Sequence, residues 1–96
     1  MKDTVEALNP QPGKKPTKVN RRNYEAYRRA LLRVIPEKAE GVEYSKLVDL
    51  VVAKLPHAVA EATKPKWWVT TVKLDLEARG LIERVPGVTP QRLRKL

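Results

Sequence analysis

The sequence predicts a small α+β domain, three helices followed by a C-terminal β-hairpin. Three observations lead there. Apolar residues recur at three- and four-residue intervals in three segments, and prolines or a glycine separate those segments. After Gly80 the period shortens to two, as in a strand. With 96 residues, 42% hydrophobic and 32% charged, the chain has the composition of one small globular unit rather than a disordered segment.

Residues 1–20 read as an extended arm and 21–96 as the folded domain. Asn9-Pro10, Pro12-Gly13 and Pro16 punctuate the arm, because proline removes amide donors and restricts the residue before it. Val5, Leu8 and Val19 are its means of packing onto the domain, and Lys14, Lys15 and Lys18 are its charge. The first helix is predicted over 21–35, capped by Asn20 and closed by Pro36. Its buried stripe is Tyr24, Tyr27, Leu31 and Val34; Arg22, Arg29 and Arg33 fall on the opposite side, with Glu25 one turn before Arg29 and placed to pair with it.

Val42–Tyr44 is a candidate short strand. Ser45 then offers an N-cap for a second helix to about Leu55, with Leu47, Val48, Leu50, Val51 and Leu55 as its apolar face and Pro56 as its stop. The alanine-rich stretch 57–63 reads as a further turn or cap. A third helix is predicted from near Pro65, capped by Thr63 and ended by Gly80 at a left-handed position. At about 100° per residue, Trp68, Val69, Val72 and Leu76 share one side and Lys66, Trp67, Thr70, Leu74 and Glu77 the other. Residues 81–85 and 91–96 then form the hairpin, Leu93 facing inward and Arg92 and Arg94 outward.

Lys and Arg number 20 against 11 acidic residues, a formal charge of +9, which points to a polyanionic partner. The basicity is uneven: residues 21–35 alone carry five arginines against one glutamate. Cysteine is absent, which excludes disulfides and thiolate chemistry. The lone His57 has no companion ligand for a metal, and Asp75 and Glu77, about 200° apart around a helix, are not a paired acid and base. No P-loop, nucleophile elbow or dinucleotide fingerprint occurs, so neither an enzyme, a cofactor nor a small-molecule ligand is expected. No apolar run suits a signal peptide or a membrane span, and the expected compartment is the cytoplasm.

The segment Thr71–Val85 resembles the junction between recognition helix and wing in winged helix-turn-helix transcription regulators, with Leu76, Gly80, Leu81 and Ile82 at the corresponding places. Over almost the whole chain, Asn9-Pro10, Pro12-Gly13, Tyr24-Glu25-Ala26, Leu31-Leu32, Trp67-Trp68 and Val72–Leu81 are similar to a family of small bacterial winged-helix proteins of uncharacterised function. The resemblance implies a winged helix with the arm as part of the domain, and it transfers no activity. Lys73 stands where that pattern has a glutamine.

In a winged helix the second helix of the helix-turn-helix enters the major groove. The expected duplex-DNA contacts are then Lys66 and Lys73 toward phosphates, Thr70 and Thr71 near base edges, Arg92 and Arg94 from the wing, and Arg21, Arg22 and Arg28 as braces. The helix presents no outward Arg, Asn or Gln for bidentate base reading. The alternative uses the same face differently: Trp67 and Leu74 place apolar bulk there, a composition that suits a homodimer or another protein partner.

Overall fold

The arm turns back on itself as a short hairpin. In the computed structural model, which describes residues 3–96, strands β1 (Thr4–Ala7) and β2 (Thr17–Asn20) pair antiparallel with Val5 opposite Val19. Alternation along the pair sends Val19 and Ala7 inward while Thr17, Lys18 and Asn20 stay in water. The proline- and glycine-rich stretch between them is the exposed turn.

Helix α1 (Arg21–Val34) begins where expected, with the Asn20 side chain accepting from the Asn23 amide at 3.0 Å. It buries Tyr24, Tyr27, Ala30 and Leu31. Strand β3 (Val42–Glu43) leads directly into helix α2 (Tyr44–Val52), which starts one residue before the predicted cap Ser45. Glu43 occupies the cap position and contributes no side-chain bond. Pro56 ends this run, and residues 57–63 prove to be a separate helix, α3 (His57–Ala62), with no fully buried side chain. The described residues therefore form four helices, not the three predicted.

Helix α4 (Pro65–Ala78) starts with proline in its first turn. Its cap residue is Lys64, not the predicted Thr63. The Thr63 hydroxyl instead donates to the Val59 carbonyl at 2.7 Å and meets the Tyr27 hydroxyl at 2.6 Å. Gly80, at φ +74°, takes the left-handed position that closes the helix.

Strands β4 (Ile82–Arg84) and β5 (Arg92–Lys95) form the hairpin, but they are not alone: β5 lies between β4 and β3 in a three-stranded antiparallel sheet. Gly41 makes this pairing possible. Its φ is +64°, and a Cβ there would sit 2.4 Å from the Leu93 carbonyl oxygen, so only glycine lets β3 approach β5. Strands are thus interspersed among the helices at both ends of the chain, in two small sheets.

One core unites these elements. Tyr27, Leu31, Leu47, Val51, Val69, Val72, Leu76 and Leu93 are fully buried, with α4 packed against α1, α2, β1 and β4. Trp68 stacks on Tyr27 with ring centroids 5.4 Å apart. Within this core Asp75 is completely buried. It accepts from the Leu8 amide at 2.8 Å, from the Tyr24 hydroxyl, and from Arg79 Nε at 2.9 Å. Arg79 also donates to the Glu6 carbonyl at 3.1 Å, so one carboxylate joins the arm, α1 and the end of α4.

Burial, and then the bond to Asp75, raises the Tyr24 pKa above its ordinary value of 10.0. The folded state therefore keeps a proton that the unfolded chain gives up, and stability falls as pH rises through and beyond 10. Tyr24→Phe is expected to lower the unfolding free energy at pH 7 by about 2 kcal/mol, as for loss of a hydrogen bond to a charged group. It should also make the alkaline decline shallower, both effects being read from urea denaturation across pH.

Candidate nucleic-acid interface

The sequence-predicted contact residues divide into those already engaged within the fold and those left free. Lys73 belongs to the first group. It lies only 3% exposed, its ammonium donating to Gln91 Oε1 at 3.1 Å, 3.2 Å from Glu77 Oε2 and 4.8 Å from the centre of the Tyr44 ring. Its orientation favours Gln91, so Glu77 Oε2 has charge pairing but no well-directed hydrogen bond. Burial lowers the Lys73 pKa below 10.5, opposed by the Glu77 carboxylate and reinforced by Arg84. A lysine in this setting is withdrawn from any phosphate, which corrects its expected role. Glu77, read as an outward negative charge, turns inward to the same cluster and takes Arg84 Nε at 2.9 Å.

The two hairpin arginines are engaged as well. Arg92 donates to the Glu40 and Gly41 carbonyls at 2.6 and 3.1 Å. Arg94 donates to Glu83 at 2.6 Å and to the Ala39 carbonyl at 3.0 Å. Both guanidinium groups fold back onto the loop after α1 instead of extending from the hairpin. Their strand positions predict side chains alternating toward solvent, but the nearby loop carbonyls supply acceptors that pattern alone does not reveal. The loop between β4 and β5, Val85 to Gln91, contains no lysine or arginine.

Arg21 is likewise committed, to Asp3 at 3.3 Å and the Thr4 carbonyl at 3.0 Å. On α4, Lys66 and Trp67 are exposed, and Thr70, Thr71 and Leu74 are half-buried. Thr70 shares a 2.6 Å hydrogen bond with the Tyr44 hydroxyl. The open stripe of this helix therefore runs through Trp67, Thr71 and Leu74 and carries charge only at its start. Trp67 is 48% exposed and meets Trp68 edge-on.

Arg22, Arg28, Arg29 and Arg33 form no ion pair or hydrogen bond among the described residues, and the predicted Glu25–Arg29 pair is not formed. All four lie on α1. Of the predicted nucleic-acid contacts, then, Arg22, Arg28 and Lys66 retain free cations. Arg29 and Arg33 were absent from the predicted set, although their position opposite the buried tyrosines is readable from helical spacing. His57 sits on exposed α3, 2.7 Å from Glu61.

Among the described residues, no helix is long and apolar enough to cross a membrane. The family model DUF6958, described as a family of unknown function, matches residues 4–93. This fits the expected resemblance to an uncharacterised family and carries no activity with it. No curated protein and no solved structure matches the chain.

The burial of Lys73 has a direct check. Lys73→Met should leave stability within about 1.5 kcal/mol, because Arg84 still neutralises Glu77 and the new side chain fills a similar volume. Lys73→Glu, which buries a second carboxylate beside Glu77, should cost more than about 3 kcal/mol. A surface lysine would tolerate both changes nearly equally in urea denaturation.

Proposed function

The chain belongs to this family of unknown function, and we propose that it is a noncatalytic winged-helix module that binds duplex DNA. What supports this reading is the order of elements. Helix α1, strand β3, helices α2 to α4 and the β4–β5 hairpin follow one another, with β5 between β3 and β4. In a winged helix read this way, α4 is the groove-entering helix and the Val85 to Gln91 loop is the wing. The formal charge of +9 supplies the attraction to a polyanion.

Within this reading Lys66 approaches a phosphate from the start of α4, with Thr70 and Thr71 behind it. Threonine methyl groups suit contact with thymine, whereas a bidentate base reader is lacking on the exposed α4 residues. Affinity then comes chiefly from the backbone and only weakly from sequence. Binding to mixed-sequence duplex DNA, single-stranded DNA and RNA, measured between 50 and 200 mM salt, should favour the duplex by about tenfold or more and weaken steeply with salt. Equal weak adsorption to all three would reduce the reading to charge alone.

A second reading rests on Trp67. A half-exposed tryptophan beside Leu74 and Thr71 is the composition of a protein contact, and a second copy of the chain is the simplest partner. Under this reading Leu74→Arg converts a dimer to a monomer in sedimentation while leaving the helical signal intact. An unchanged sedimentation coefficient with the wild type already monomeric removes it.

A further inference from the structure

We infer that the outer face of α1, and not the wing, grips the phosphate backbone: Arg22, Arg29 and Arg33, with Lys54 facing them, form a rail for duplex DNA. The inference rests on the duplex-binding reading above and assigns its electrostatic contacts to a surface outside the helix-turn-helix.

Arg22, Arg29 and Arg33 lie within a sector of about 40° on the helix, opposite Tyr24, Tyr27 and Leu31. Arg22 and Arg29 line a groove with Ala26, Pro56 and Val59, and this groove continues through Arg29 and Ala26 to Arg33, Ala53 and Lys54. Its two walls are α1 and the corner between α2 and α3. The acids beside it are Asp3, held by Arg21, and Glu25, so positive charge prevails.

Apart from Arg28, which lies on the same helix, the other arginines of the described structure are committed. Arg21, Arg79, Arg84, Arg92 and Arg94 all bond to carboxylates or carbonyls within the fold. Clustering like-charged guanidinium groups on one helix face opposes folding by mutual repulsion, and a polyanion laid along them removes that repulsion.

Spacing selects the partner. Along the axis the row has intervals of about 10 and 6 Å, too wide for its side chains to converge on one phosphate. A duplex carries a charge every 1.7 Å or so of its axis, counted over both strands, so the backbone turned toward the row offers several separate phosphates within its span. The groove lining contains no aromatic residue on which unpaired bases would stack, which favours a duplex over a single strand. The exposed large apolar residues Leu50, Trp67, Leu81, Val88 and Leu96 are all outside it, so it lacks the insertion side chains of a membrane-binding surface.

The test compares the wild type with Arg22→Gln/Arg29→Gln/Arg33→Gln and with a charge-matched control, Lys14→Gln/Lys15→Gln/Lys18→Gln. Each is titrated with two unrelated duplexes and a single strand of equal length over 50–200 mM salt. Glutamine preserves helix propensity, and circular dichroism with a thermal melt verifies the fold. The α1 variant should lose affinity at least tenfold for both duplexes, and its slope of log K against log salt should flatten by about 2.7. The control should change that slope by less than about 1.

An unaltered slope in the α1 variant, with the wild type binding duplex, overturns the rail while leaving the DNA-binding reading standing. Equal losses in the two variants, or a loss as large for the single strand, overturn it as well. A wild type that fails to bind duplex at 50 mM salt overturns both.

Discussion

Everything else in this fold leans on the buried carboxylate of Asp75. An isolated carboxylate in a protein interior is costly, and it persists there only with charge pairing and hydrogen bonds. Asp75 has both: Arg79 four residues on, the Tyr24 hydroxyl from α1 and the Leu8 amide from the arm. The three donors come from segments far apart in sequence, so their agreement on one acceptor sets the arm and α1 relative to α4. Apolar burial of Tyr24, Leu76 and Ala7 is non-directional, whereas hydrogen bonds to one carboxylate fix the register of the segments that donate them. The arm, rich in proline and lacking a helix of its own, is ordered by this anchor and by its own strand pairing.

A second polar cluster lies on the opposite side of the same helix. Lys73 and Glu77, one turn apart on α4, engage Gln91 and Arg84 at the two sides of the hairpin. Helix α4 thus directs ionic groups into the fold on two of its sides, while α1 directs its free arginines outward. That division of labour leaves the outward part of α4 to Trp67, Thr71 and Leu74.

Much of the architecture was legible in the sequence because its signals are local. Asn20 announces α1 and Pro36 its limit; Gly80 marks the change from helix to strand; the spacing of Val69, Val72 and Leu76 gives the core face of α4. The errors lie where the deciding partner is distant. Nothing near Thr63 in sequence reveals that Tyr27 takes its hydroxyl, and the loop carbonyls of Glu40 and Gly41 are invisible to a period-two reading of Arg92. Lys73 follows the same pattern: helical phase places it at the edge of the apolar face, and only Gln91, Tyr44 and Glu77 decide that it goes under. For the candidate site, the α1 arginines could be read from phase, but the wall completed by Lys54 needs the α2–α3 corner in three dimensions.

The stapling of Arg92 and Arg94 onto Ala39, Glu40 and Gly41, with the Lys95 amide bonded to the Pro36 carbonyl at 2.8 Å, has a mechanical result. It fastens the last strand to the segment leaving α1, so the two ends of the domain cannot pivot independently. A surface that spans this seam has little freedom left to freeze out on contact, which lowers the entropic cost of any association made there.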